Sequence, residues 1–173
     1  PIITHLIADM SAIVVDVECF NNEIIKELGV YKDGIVHGSS LLLPKNYVQQ
    51  NKIQDDWLTK NLHFINWDSG TYSYEILEDI VQELVLQENV EFFTKGEEKR
   101  MFLSKLFNVN FSNLESFGCP KVIDLSFVDD NNKFCDSFTC SSYPFRHKHT
   151  SHCAERKAFL FGQWTEKHFN NHL

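Results

Sequence analysis

The sequence predicts an α/β fold: a mixed five-stranded sheet that opens as an antiparallel three-strand meander, continues with two parallel strands, and carries helices on both faces. Three observations lead there. The first third of the chain holds three β-branched apolar runs separated by tight polar turns. Beyond them, segments with apolar residues at helical spacing alternate with short apolar runs, the order that builds parallel crossovers. With 173 residues, 43% of them apolar and 13% aromatic, the chain also has the material for a substantial core, and residues 1–173 are predicted to form a single domain.

The elements follow in order. Residues 12–19, 24–31 and 35–43 read as strands, the last stopping at Pro44, and Asp33-Gly34 marks a hairpin turn. Between Tyr47 and Trp67 the pattern breaks into short helices and loop, with Trp57, Phe64 and Trp67 packing it down. Residues 71–86 place Tyr74, Ile76, Leu77, Ile80, Val81, Leu84 and Val85 on one helical face. A short strand over 90–93 follows, then an amphipathic helix over 95–107. Val122, Ile123, Asp124 and Leu125, after Pro120, suggest the fifth strand. Residues 129–152 are polar and irregular, and 153–169 form a last helix with Ala154, Ala158, Leu160, Phe161 and Trp164 inward.

Charge and hydropathy exclude several classes. The net charge is -8 with no basic run, which argues against a protein that grips long duplex DNA. No stretch of about 20 apolar residues and no charged-then-apolar leader occurs, so no membrane partner is expected and the location predicted is intracellular, nuclear or cytoplasmic. Five cysteines, an odd number at irregular spacing, fit reduced thiols or metal ligands better than a disulfide framework. Cys135, Cys140 and Cys153 fall together with His147, His149 and His152.

Asp16 and Glu18 stand two apart on the first strand, so both carboxylates project from one sheet face. With this element order they resemble the first acidic motif of the DEDDh exonucleases, ribonuclease-H-like enzymes that use two divalent metals. That resemblance implies magnesium or manganese at Asp16 and Glu18, with further carboxylates to hold the ions. It also places an Asp three residues before a Phe-Leu pair in the helix after the fourth strand; here Phe102-Leu103 puts Lys99 there. Glu97 or Glu98 could fill the role only after a register shift. Where the family's final His and Asp motif opens the last helix, this chain has Cys153.

Zinc sites need soft or borderline donors converging on one point, and Cys140, His147, His149, His152 and Cys153 are numerous enough, although the spacing is not that of a C-x-x-C knuckle. The segment Cys153-Ala154-Glu155-Arg156-Lys157-Ala158 resembles the final helix of the Maelstrom domain, and Ile24-Ile25-Lys26-Glu27-Leu28-Gly29 resembles its second strand. Maelstrom domains are ribonuclease-H-like modules of small-RNA pathways that silence transposons, most with a Glu-Cys-His-Cys zinc site. The resemblance implies structural zinc on Glu27, Cys140, His147 or His149, and Cys153, with Cys135 an alternative to Cys140 because the loop is longer here.

Besides a pure protein-interaction scaffold that binds no nucleic acid, two classes of function stay open on the sequence. One is a catalytically degenerate, zinc-stabilised module that binds single-stranded RNA or a protein partner. Its basic contacts would be Lys95, Lys99, Arg100, Arg146, Lys148, Arg156 and Lys157. The other is an active metal-dependent 3′-5′ exonuclease or single-strand ribonuclease, with Asp16 and Glu18 on magnesium or manganese and a histidine among His147, His149 and His152 as general base.

Overall fold

The computed structural model describes residues 10–21, 23–126 and 153–170. Its sheet has the strand order β3-β2-β1-β4-β5. The strands are β1 (Ser11–Phe20), β2 (Ile24–Lys32), β3 (Ile35–Ser40), β4 (Val90–Thr94) and β5 (Phe111–Asn113). The first three pair antiparallel. Strand β4 joins β1 in parallel and β5 joins β4 in parallel. The helices are α1 (Lys52–Asn61), α2 (Ile76–Val85), α3 (Glu97–Phe107), α4 (Val122–Ser126) and α5 (Ala154–Asn170), with a 3-10 turn at Leu114–Phe117. An α/β architecture with a mixed sheet is thus what the sequence predicts.

The meander is set locally. Asp33 and Gly34 both take positive φ, as the two-residue turn between right-twisted strands requires. Strand β1 lies at the centre and its side chains alternate. Ile13, Val15 and Val17 share a buried cluster with Leu77 and Leu84 of α2 and Leu103 and Phe107 of α3. Val14, on the other face, packs with Tyr31, Leu125, Ala158, Leu160 and Phe161 under α4 and α5. Helices therefore cover both faces. Asp16 and Glu18 continue the Val14 side, the face that α5 crosses.

Two glycines let α5 come close. A side chain on Gly29 would collide with the Ala154 carbonyl, and one on Gly162 with the Tyr31 ring. Because Gly29 pairs with Asp16 and Glu27 with Glu18, the near contact brings the first turn of α5 directly over the acidic pair.

The structure corrects the sequence at three places. The fifth strand is Phe111–Asn113, while Val122 to Leu125, expected as that strand, is helical. Val122 and Leu125 turn inward one helical step apart and Ile123 is exposed, so the run reads as one apolar side of a helix turn. Helix α2 starts at Ile76 rather than at Thr71, because Thr71 and Tyr72 donate instead to the Ser40 carbonyl as a strap across the end of β3. Strand β3 stops at Ser40, and Leu41 bridges to Tyr72.

Candidate functional site

Strand β4 runs parallel beside the first part of β1, with Phe93 paired to Val14, so it ends just before the level of Asp16, and α3 begins just after it. Its first turn therefore opens at the edge of the sheet where Asp16 and Glu18 stand. Lys99 reaches back from that turn, and its Nζ donates to Asp16 Oδ1 at 2.7 Å. Glu97 is held by Arg100 and Glu98 is exposed, so the residue that meets Asp16 is the lysine.

A second cation comes from above. Lys157, expected on an RNA-facing surface, is buried under α5, with its Nζ 3.0 Å from Asp16 Oδ2 and 2.5 Å from Glu18 Oε1. That placement corrects its expected role. Asp16 is 0% exposed, Glu18 5% and Lys157 7%, whereas the Lys99 side chain keeps 31% of its surface and forms the rim. Two carboxylates thus meet two ammonium groups and the charges cancel.

The titration behaviour follows from this geometry. Burial pushes the Glu18 carboxyl up, but Lys157 first, then Lys99, with a smaller contribution from His63, outweigh it and hold the group below the ordinary carboxylate range. Burial draws the Lys157 ammonium down, and Asp16 and Glu18 overcome that, leaving it well above an ordinary lysine. Cys19, the next residue on β1, is pushed up to about 12 by burial and by the Glu18 charge, so it stays a neutral thiol.

His63 is a neighbour that the sequence did not single out. It lies in the loop after α1, edge-on to Phe20 with ring centroids 4.9 Å apart, and its Nδ1 accepts the Ile65 amide at 3.1 Å. Nothing in its local sequence marks it, since the contact depends on how the loop folds over the end of β1.

A third carboxylate, Glu27, faces the same helix. It is fully buried, and its Oε1 accepts the Ala154 amide at 2.5 Å, so a negative group sits at the positive end of α5. Cys153 is also buried, and its Sγ accepts the Arg156 amide at 3.4 Å. Two of the four donors that the resemblance implies for zinc therefore lie at the start of one helix. Cys140, His147 and His149 lie outside the described residues, as do Cys135, His152, Arg146 and Lys148. Among the described residues no group of three His, Cys, Asp or Glu side chains is arranged to hold a metal ion.

Two more of the predicted basic contacts, Lys95 and Arg100, are engaged by acids as well. Lys95 pairs with Glu115 at 3.2 Å and lies over the Phe161 ring, and Arg100 grips Glu97. Arg156 is half-buried at the start of α5. No helix among the described residues is long and apolar enough to cross a membrane. No protein-family model matches the chain, and no curated protein matches its sequence.

The cluster makes a measurable demand on stability. Lys157→Met leaves two buried carboxylates against Lys99 alone, and is expected to cost about 3–5 kcal/mol in urea unfolding. Asp16→Asn/Glu18→Gln/Lys157→Met, which removes the charges together, should recover most of that loss. The depressed Glu18 stabilises the fold above its unfolded value of 4.5, and this is lost as pH falls through the folded value. The raised Lys157 stabilises below its unfolded value of 10.5, and this is lost as pH rises through the folded one. The difference between wild type and the triple variant should therefore stay flat between those limits and shrink outside them.

Proposed function

We propose that this chain is a ribonuclease-H-like module in which the place of a two-metal hydrolytic centre is taken by a structural ion-pair cluster, and that it acts by binding rather than cutting. The observation that carries the reading is the pairing of Lys99 and Lys157 with Asp16 and Glu18. Two magnesium ions need a surplus of negative charge around them. Here that charge is already neutralised. An ammonium group balances a carboxylate but supplies no Lewis acidity, does not lower the pKa of a bound water, and cannot orient a phosphate by coordination.

The strand order and the helices on both faces support the ribonuclease-H-like assignment. The segments around Glu27 and Cys153 support the Maelstrom-like form of it, and with that form a role in small-RNA silencing of transposons through single-stranded RNA or a protein partner. In that form Glu27 and Cys153, with Cys140 and His147 or His149, hold a structural zinc. The metal would tie β2 to the start of α5, adding its binding free energy to folding. Elemental analysis of purified protein is expected to find stoichiometric zinc; a folded, metal-free preparation would remove the zinc from this account.

Hydrolysis is tested by incubating the chain with labelled single-stranded RNA and DNA in magnesium, in manganese and in EDTA. The expected result is no metal-dependent cleavage, with Asp16→Asn behaving as wild type. Metal-dependent cleavage that disappears in Asp16→Asn would show an active nuclease and overturn the proposal.

A further inference from the structure

On the α5 side of the sheet, away from the acidic cluster, a cavity of about 340 Å³ opens between α4 and the second half of α5. Its size is at the lower end of the range for small-molecule sites, around 300–1,000 Å³. Leu125 and Leu160, both buried, and Pro120 give it an apolar floor. Trp164 adds a half-exposed indole, stacked on His168 with ring centroids 4.6 Å apart and planes at 15°. Gln163 and Asp124 line the same opening with an amide and a carboxylate.

Two cations stand at this opening without an acid partner among the described residues, as Lys60 and Lys105 do elsewhere on the surface. Lys167 lines the cavity and Lys121 adjoins it at Pro120; both are exposed, and neither forms an ion pair among the described residues. Lys95, Lys99, Arg100 and Lys157, by contrast, are each held by an acid. An aromatic wall on an apolar floor, a side-chain amide and carboxylate to read a polar edge, and two unengaged cations match one kind of ligand. A flat heteroaromatic ring stacks on the indole, and an attached phosphate meets the ammonium groups.

We propose that the α4/α5 cavity binds a nucleobase together with its phosphate. This rests on the reading of the chain as a binding module and names the ligand of that module. Trp164 provides the stacking surface. Gln163 can donate to or accept from a base edge, and Asp124 accepts from an exocyclic amine or ring N–H. Lys167 and Lys121 provide the phosphate contacts. A strand of RNA, a strand of DNA and a free mononucleotide share this chemistry.

The test is fluorescence anisotropy of the full chain with labelled oligo(U) and oligo(A) RNA at low salt, repeated with the DNA counterparts and with UMP and AMP as competitors. Preference for RNA over DNA, or displacement by a mononucleotide, identifies which source the cavity accepts. Trp164→Ala is expected to lower affinity about ten-fold or more. Lys167→Glu, on an exposed side chain that the fold does not need, should lower it several-fold and reduce its salt dependence. Trp57→Ala, an exposed tryptophan on α1, should change nothing. Thermal melting of each variant separates lost binding from lost folding. The proposal is overturned if no nucleic acid or nucleotide binds, or if Lys167→Glu and a folded Trp164→Ala bind as wild type does. Either result leaves the loss of hydrolysis to be judged by the cleavage assay.

Discussion

The interaction on which the arrangement depends is the Lys157 ammonium set between Asp16 and Glu18. It joins the last helix to the central strand in a region where an uncompensated charge would cost several kcal/mol. Around it the contacts are mutually dependent. Gly29 has no side chain where α5 crosses, Glu27 accepts the first amide of that helix, and Gly162 admits the Tyr31 ring further along. Move α5 outward by a side chain's width and Lys157 leaves its partners while Glu27 loses the amide it caps. Lys99 closes the cluster from the opposite direction, because the parallel pairing of β1 and β4 brings the start of α3 to the same edge.

Most of the sheet was legible in the sequence because its signals are local. The β-branched runs and the Asp33-Gly34 turn specify the meander without help from the rest of the chain. The fifth strand was misplaced because Phe111–Asn113 is only three residues long, too short for an alternating pattern, and its pairing with β4 is decided by where α3 ends. Val122, Ile123 and Leu125 offer a stronger apolar run, yet a run of that length does not distinguish a strand from a helix turn.

The acidic half of the site could be read directly, since two carboxylates at strand spacing share a face whatever surrounds them. Lys99 stands opposite them, at the position where the resemblance has an Asp, although the sequence also offers it as an RNA contact. Lys157 reads as a surface cation in the sequence because charge is the more conspicuous property of lysine, and the structure buries it. Its position carried the missing signal: it follows Ala154 by three residues and precedes Phe161 by four, within the stripe that α5 turns to the sheet. A lysine in an apolar stripe needs a buried acid, and the sequence offered two. His63 had no such signal, because a loop contact is not periodic.

The cluster also divides the molecule chemically. On the central strand, charges cancel in a mostly buried network. Across α4 and α5, cations stay exposed beside an aromatic wall. Asp16 and Glu18 are the partners of Lys157, so the fold needs both carboxylates whether or not they take part in chemistry. The most direct measurement of that claim is a manganese titration followed by amide NMR. If the lysines occupy the positions that divalent ions would take, the resonances of Val15 to Cys19 should keep their intensities at millimolar manganese while exposed acidic segments broaden. Selective broadening around Asp16 and Glu18 at low manganese would show a working metal site and contradict the account.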